Sequence, residues 1–183
     1  ARDVTVTNPD TGTATLSSSF TVNAGPTIAT VSPSTRGQNA ANQTITITGT
    51  GYVSGAAVTF SGTGITVNST TFVSATQLTA NITVASNATT GLRNVTVTNP
   101  DAGTTTLASG FTVNAGPGLT SLSPSSRPQG TTSQNVTVTG SNYVSGAAVT
   151  FSGTGITVNS TTFVSATQLT ANIDRKSTRL NSS

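Results

Sequence analysis

A long internal repeat is the feature of this sequence that most constrains its fold. Residues 52–82 recur without a change at residues 143–173, an offset of 91 residues. The same offset aligns Phe20 with Phe111. A unit of this length is longer than the roughly 20–50 residue repeats of most solenoids, and it suits one β-sandwich domain of about 100 residues. We therefore expect a chain of tandem domains.

Apolar and polar residues alternate within the repeat, as they do in strands whose successive side chains point to opposite faces of a sheet. Each run places Val, Ile, Leu or Phe on one face and Thr, Asn or Gln on the other, which predicts antiparallel strands with one solvated face. The runs lie at residues 44–49, 56–61, 65–69, 77–84, 93–99 and 111–114. Since no run has a helical period, the sequence predicts an all-β fold.

Short segments rich in Asn, Pro and Gly mark the joints. We expect hairpin turns at residues 8–12 and 99–103, with Pro fixing φ and Gly in the left-handed position. The Asn-Ala-Gly-Pro segments at 23–26 and 114–117 predict linkers of limited freedom, and hence domains stacked as a rod. The predicted divisions are the last two strands of one unit at 1–25, a complete domain at 26–116, the first two thirds of another at 117–173, and a tail at 174–183.

The inward positions of these runs give a candidate core for the complete domain. Burial of large apolar side chains is the main favourable term in folding, so these residues are expected to face the interior. The nineteen candidates are Ile28, Val31, Ile45, Ile47, Tyr52, Val58, Phe60, Ile65, Val67, Phe72, Leu78, Ile82, Val84, Leu92, Val95, Val97, Leu107, Phe111 and Val113.

The last ten residues differ from the repeat. The alternation ends at Ile173, and the segment DRKSTRLNSS resembles in all ten positions a translation of a common sequencing adapter, GATCGGAAGAGCACACGTCTGAACTCCAGT. We expect a non-native tail; a native basic tail is the alternative. The tail supplies +2 of the net charge of +3, from Arg175, Lys176 and Arg179 less Asp174, which leaves +1 over residues 1–173.

Composition excludes most catalytic chemistry. The chain has no His, Cys or Glu, and its single Lys lies in the tail, so a hydroxyl nucleophile would have only Asp as its base. We expect no enzymatic activity, no catalytic residue, no cofactor and no metal site. Residues 1–173 hold four Arg and three Asp, too few positive charges for a nucleic-acid partner. No stretch approaches the roughly 20 apolar residues of a membrane-spanning helix.

Tyrosine and arginine residues are the first candidates for a binding site. Tyr52 and Tyr143 could be stacking platforms for sugar rings, but each follows a predicted strand, Tyr52 directly after Gly51, and packing in the core is the favoured interpretation. Arg36 and Arg127 occupy equivalent polar loops and could line a repeated anion site. A solvated Arg, or one that caps a backbone carbonyl, is the favoured interpretation there.

The remaining candidates are charged residues near the strand ends. Asp10 and Asp101 could suggest calcium, yet a calcium site needs six to eight oxygens, usually with several carboxylates, and each unit offers one Asp. Capping of the turn is the favoured role. Arg2 and Arg93 start the strands that lead to these turns and could pair with a neighbouring unit, although surface ion pairs contribute only about 0–1 kcal/mol.

The order and spacing of several segments resemble the IPT/TIG family of immunoglobulin-like domains, throughout residues 1–173. The segments are PTIATVSPS at 26–34, TITITGTGYVSGAAVTF at 44–60, QLTANI at 77–82 and NVTVTNPDAGTTTLASGFTV at 94–113. The sequence departs from the family at 38–42, where a glycine-rich approach to the second strand is usual. The resemblance implies tandem immunoglobulin-like β-sandwiches with Greek-key connections, which bacteria use mainly in secreted or surface-anchored proteins.

From the resemblance we expect a non-catalytic structural or adhesive repeat region, a stalk or spacer, in a secreted or cell-surface bacterial protein. Carbohydrate-binding accessory modules of an extracellular enzyme are the alternative. Glycans or other surface proteins are the partners that these two roles imply, and the sequence does not identify the residues that would bind them.

Overall fold

The computed structural model describes residues 1–176, and its regular structure is entirely β. In this part of the chain there is no helix long and apolar enough to cross a membrane. Two compact units are formed, the first by Ala1–Asn114 and the second from Ala115 onward. The strands are β1 (Arg2–Thr7), β2 (Thr13–Phe20), β3 (Thr27–Ser32), β4 (Thr35–Gly37), β5 (Gln43–Thr50), β6 (Ala57–Phe60), β7 (Ile65–Ser74), β8 (Gln77–Val84), β9 (Gly91–Thr98), β10 (Thr104–Asn114), β11 (Gly118–Ser123), β12 (Gln134–Ser141), β13 (Ile156–Ser165) and β14 (Gln168–Arg175).

The first unit contains a complete sandwich of two four-stranded sheets. One sheet has the order β3-β5-β8-β7 and the other β4-β10-β9-β6, so the chain crosses from sheet to sheet as it runs along the sequence. Neighbouring strands are antiparallel except for β4, which runs parallel to β10. This arrangement confirms the predicted all-β, immunoglobulin-like fold class.

The core of the sandwich lies between the two sheets. Strand β8 alternates strictly between buried and half-buried residues, as expected for a strand with one face toward the core. The rings of Phe60 and Phe111, which belong to the same sheet, meet edge to face on its core side, with centroids 5.1 Å apart. Seventeen of the nineteen predicted core residues are buried in this core or pack against its buried residues.

Leu92 and Phe72 were wrongly predicted to be core residues. Side chains in β9 alternate between the two faces of the sheet, and Val95 lies on the face toward the core. Arg93 therefore also points toward the core, whereas Leu92 points to solvent and is 61% exposed. Phe72 stands opposite the buried Leu78, but it lies on the edge strand β7, and the facing strand β6 is only four residues long. Its ring is therefore 36% exposed.

The hairpin turns form where predicted, but glycine does not take the left-handed position. Thr11 and Ala102 adopt it, with φ of 72° and 65°. In the second turn Ala102 N donates to Asn99 O (3.0 Å), and Asn99 N donates to the carbonyl of Gly103 (2.8 Å). This is a three-residue loop in which the residue before Gly closes the turn. A left-handed non-glycine residue costs about 1–2 kcal/mol.

Several strand limits differ from the sequence prediction. Strand β4 was not predicted, because three residues do not establish an alternation. Strand β14 continues to Arg175, two residues beyond the predicted end of the alternation at Ile173. Asp174 and Arg175 pair with Thr157 and Ile156 of β13. The backbone ladder does not require an apolar side chain, so it extends past the point where the pattern stops. Residues 177–183 of the predicted tail lie outside the described residues.

Strands β1 and β2 form a separate hairpin within the first unit, and all of their side chains are exposed. The second unit has one four-stranded sheet within residues 115–176, of order β11-β12-β14-β13. That order corresponds, at the 91-residue offset, to β3-β5-β8-β7 of the first unit. Its buried residues form two small clusters around Val136 and Val138.

Candidate functional site

All four aspartates of the chain accept hydrogen bonds from backbone amides. Each contact holds one carboxylate oxygen in place and occupies one of its acceptor positions. The contacts run from Ser18 N to Asp3 Oδ1 (2.7 Å), from Gly12 N to Asp10 Oδ1 (3.1 Å), from Gly103 N to Asp101 Oδ1 (3.1 Å) and from Ser133 N to Asp174 Oδ1 (2.6 Å).

Asp10 and Asp101 cap their turns, as the sequence predicted. Each carboxylate accepts from the amide two residues ahead, and this contact stabilises the Asn-Pro-Asp loop. Within residues 1–176 there is no cluster of three or more His, Cys, Asp or Glu side chains that could hold a metal ion. The two aspartates therefore have a local structural role in the described chain.

Asp174 takes over the hydrogen bonds made by a threonine in the first unit. The Thr83 hydroxyl accepts from Asn42 N (3.3 Å) and from Asn68 Nδ2 (3.0 Å). At the equivalent places Ser133 N and Asn159 Nδ2 (2.9 Å) donate to Asp174. The Ser133 amide, followed by the Asn159 side chain, lowers the pKa of the Asp174 carboxyl below its usual range. The first residue of the predicted tail thus fits the sheet.

Tyr52 and Tyr143 are buried, which confirms that they pack in the core. Tyr52 is only 3% exposed, and neither hydroxyl has a hydrogen-bond partner among the described residues. Burial raises the pKa of the Tyr52 phenol. A stacking platform needs an open ring face, so these tyrosines cannot serve as sugar-binding platforms in this conformation.

The loop arginines contact carbonyl oxygens, as predicted. Arg36 NH1 donates to Thr35 O (3.0 Å), and Arg127 NH2 donates to Asn135 O (3.3 Å). Both side chains are half-buried. Guanidinium groups held in this way brace the backbone, so the structure does not present these two arginines as a ready anion site.

Arg93 is buried, contrary to its predicted surface position. Its side chain packs over Gly62, whose missing Cβ would lie 3.1 Å from the guanidinium carbon. The guanidinium donates to the carbonyl oxygens of Leu92 (3.2 Å) and Thr89. The sequence signal for this burial is the alternation in β9, because Arg93 lies two residues before the inward Val95 and so shares its face. Arg2, its counterpart in β1, is exposed.

Asn99 is a structural residue that the sequence analysis placed only in a turn. It is buried, its Nδ2 donates to Gly51 O (2.8 Å), and its Oδ1 accepts from Val53 N (3.3 Å). Asn99 thereby ties the loop after β5 to the turn between β9 and β10. No local sequence signal marks this role, because the two segments are 46–48 residues apart.

The segment that precedes the complete sandwich lies against the same end of the domain. Asn23 Nδ2 contacts Asp101 Oδ2 at 3.5 Å, and a Cβ on Gly51 would lie 3.0 Å from Gly25 O. In the second unit Asn142, the counterpart of Gly51, donates from Nδ2 to Gly116 O (3.0 Å). The Asn-Ala-Gly-Pro segment is therefore held by the loop after β5 or β12, and we call this contact the junction.

The solvent faces of the sheets carry paired hydroxyl and amide groups in place of charges. Cross-strand threonine pairs of this kind contribute up to about 1 kcal/mol each. The Oγ1–Oγ1 distances are 2.8 Å for Thr5–Thr15, 2.8 Å for Thr27–Thr50, 2.6 Å for Thr30–Thr48 and 2.8 Å for Thr96–Thr106. Asn68 Nδ2 donates to Asn81 Oδ1 at 2.7 Å on the same type of surface.

Within residues 1–176, none of the aspartate contacts described above comes from a Ser or Thr hydroxyl. Among the described residues, the side chains that the sequence singled out pack in the core, cap a turn or contact backbone carbonyls, except Arg2, which is exposed. The junction is repeated in both units and involves a connecting segment in each.

The sequence was compared with protein-family models and with curated proteins. No curated protein matches the chain. IPT/TIG domains are immunoglobulin-like modules with structural or interaction roles. Residues 26–113, which contain every strand from β3 to β9 and nearly all of β10, match the family model of the IPT/TIG domain.

Proposed function

We propose that this chain is a non-catalytic spacer region of a secreted or cell-surface bacterial protein, in which IPT/TIG-like sandwiches follow one another as a stalk. The observation that carries the proposal is the junction. A spacer must hold successive domains at a defined distance. A connecting segment that contacts the following domain does so better than a flexible chain.

The junction supports this role through contacts that limit local freedom. Gly25 O lies against Gly51, and Asn23 reaches Asp101 in the turn between β9 and β10. Pro26 then fixes φ at the start of β3 and lies against Gly103. Three of the four residues of this segment, Asn23, Gly25 and Pro26, are thereby placed by one end of the sandwich.

The surface composition also supports a spacer. Residues 1–173 carry a net charge of +1, and the exposed faces are rich in Thr and Asn side chains that bond to one another. Such a surface has little long-range electrostatic attraction for other macromolecules. The extracellular location rests on the family resemblance, and labelling of intact cells with antibodies to the folded domain would test it.

Small-angle X-ray scattering on four consecutive 91-residue units tests the stalk directly. A compact particle of that length has a radius of gyration of about 21 Å. A linear row of units, each about 36 Å long from an eleven-residue strand, gives about 40 Å. We expect the larger value. A value near 21 Å would contradict the proposal.

A matched protein with every Asn-Ala-Gly-Pro segment replaced by Gly-Ser-Gly-Ser is the control. It keeps the linker length and removes both the proline and the asparagine contact. We expect its radius of gyration to be smaller and its scattering to show a broader range of shapes. Equal scattering from the two proteins would mean that the junction does not limit the linker.

A further inference from the structure

The chain enters and leaves the complete sandwich at opposite ends. Strand β3 starts at the end that holds the junction, where Pro26 lies against Gly103. Strand β10 starts at this same end, directly after Gly103, and its eleven residues carry the chain to Asn114, about 36 Å away. Tension on the chain therefore pulls β3 and β10 in opposite directions along their own axes.

The entering and leaving strands belong to different sheets, and β4 connects them. Strand β3 pairs with β5 in one sheet, whereas β10 pairs with β9 in the other. After Pro33 the chain crosses from the first sheet to the second and forms β4, which pairs with β10. The entering strand is thus bonded to the leaving strand through β4.

The hydrogen bonds between β4 and β10 form a short parallel ladder. Thr112 N donates to Ser34 O (2.8 Å) at one end of the ladder. Gln38 N donates to Asn114 O (2.9 Å) at the other end. The register places Arg36 between these bonds, where the even spacing of a parallel ladder joins its N–H to Thr112 and its carbonyl to Asn114. Together with the first two bonds, these make four bonds between β4 and β10.

Tension loads all of these bonds at once. A pull at the entry draws β4 toward the junction end, and a pull at the exit draws β10 the other way, so the two parallel strands slide past each other. Sliding strains every bond in the ladder together. Strands that are pulled apart sideways from one end lose their bonds one after another. The same ladder therefore resists a larger force when it is loaded in shear.

The position of β4 at the edge of its sheet makes these bonds decisive. Within residues 1–176, β4 pairs with β10 alone. Side chains hold the short strand in place, since Arg36 NH1 donates to Thr35 O (3.0 Å) and Gln38 Nε2 donates to Ala88 O (2.7 Å). β4 is therefore fixed locally, and its resistance to sliding depends on its ladder with β10.

We propose that the β4–β10 pair is a clamp that carries tension through each unit of the stalk. The proposal rests on the spacer function, because a stalk is loaded along its length. Strand β3 is also held by β5, but its separation from β5 releases only residues 27–34. Most of the chain extends only when β4 leaves β10, so the clamp sets the force at which the sandwich unfolds.

Single-molecule extension of the full chain, pulled from its two ends, tests the clamp with Arg36→Pro. Proline lacks the N–H that bonds to Thr112, and an edge strand tolerates its fixed φ. Removal of one of four bonds that are loaded together should lower the unfolding force of the sandwich by about a quarter or more. Arg36→Ala removes the same guanidinium but keeps the N–H, so it should unfold close to the wild-type force.

A proline on another edge strand is the second control. Val58 N donates to the Thr70 hydroxyl (3.3 Å), so the alternation in β6 turns the neighbouring Thr59 N–H toward β9. Thr59→Pro therefore removes one bond of a ladder that does not join the entering strand to the leaving strand. Urea unfolding should show comparable losses of stability for Thr59→Pro and Arg36→Pro, whereas only Arg36→Pro should lower the unfolding force.

The direction of pulling tests shear without any change to the clamp. Ala41 is exposed and lies three residues after Gln38, at the same end of the sandwich as Asn114. The chain has no cysteine, so Ala41→Cys provides a unique attachment point. A pull between this point and the C-terminus separates β4 from β10 sideways, and we expect the sandwich to unfold at about half the force or less.

Either of two results would overturn the proposal. One is an equal unfolding force for Arg36→Pro and Arg36→Ala, which would place the load on another pair of strands. The other is an equal unfolding force for the two directions of pulling, a comparison that holds even where Arg36→Pro does not fold. Failure here leaves the spacer proposal intact, because X-ray scattering measures the length of the units without tension.

Discussion

Truncation of Phe111 gives the sharpest test of the sandwich core, because the chain carries its own control. Phe111 is fully buried and packs edge to face on Phe60, whereas its repeat counterpart Phe20 is 58% exposed. The perturbation is the same chemical change, Phe→Ala, at two positions related by the repeat.

The losses in free energy of unfolding expected for the two substitutions differ by almost an order of magnitude. Removal of a buried aromatic side chain costs about 3–5 kcal/mol, including the cavity and the lost ring contact, so we expect Phe111→Ala to lower the free energy of unfolding of the first unit by about 4 kcal/mol. Phe20→Ala removes a side chain that is mostly in water and should change it by about 0.5 kcal/mol or less.

Urea unfolding followed by tyrosine fluorescence measures this difference. The chain has no Trp and two Tyr, so in a Tyr143→Phe background the single remaining fluorophore is Tyr52, which lies in the same core as Phe111. A loss below about 1 kcal/mol for Phe111→Ala, or equal losses for both variants, would refute the assignment of this core.

Three further predictions concern single residues. Ala102→Gly should raise the free energy of unfolding by about 0.5–1 kcal/mol in the same assay, since Gly removes the strain of φ 65°, whereas Ala108→Gly, within β10, should lower it. Tyr52→Phe removes a buried hydroxyl without a partner; calorimetry should show equal or higher stability. Because the pKa of Tyr52 is raised by burial, the stability of the wild type falls as pH rises above about 10, and Tyr52→Phe should lose less stability over the same pH range. The lowered pKa of Asp174 contributes stability above pH about 4 that is lost as pH falls through the folded pKa; Asp174→Asn should flatten the acid dependence of hydrogen exchange at Ser133 NH.

Much of the fold could be predicted from the sequence because alternation is a local signal. Strand β8 begins and ends where the pattern does, and both hairpin turns lie at their Asn-Pro-Asp segments. Leu92 was misplaced by a phase error that the neighbouring Val95 could have corrected. Phe72 could not be placed from its own strand, because its exposure depends on the length of β6 in the opposite sheet.

The candidate site was less predictable than the fold. Burial of Tyr52 and turn capping by Asp101 follow from local rules about strands and turns. The role of Asn99 depends on a contact across 48 residues, which no local pattern encodes. A short sequence that occurs twice shows most clearly what local patterns cannot predict. Residues 57–60 form β6, which pairs with β9, whereas the identical residues 148–151 form no strand. Pairing with a partner strand therefore decides whether this sequence forms a strand.

Single-molecule extension of several consecutive 91-residue units tests the central claim, that each repeat is one mechanically resistant sandwich in a stalk. A 91-residue chain reaches about 300–330 Å when extended, and subtraction of a folded length of about 36 Å gives an increase of about 280 Å for each unit that unfolds. The account predicts a series of unfolding events with this constant spacing, one for each unit. Increments unrelated to 91 residues, or extension without discrete events, would contradict it.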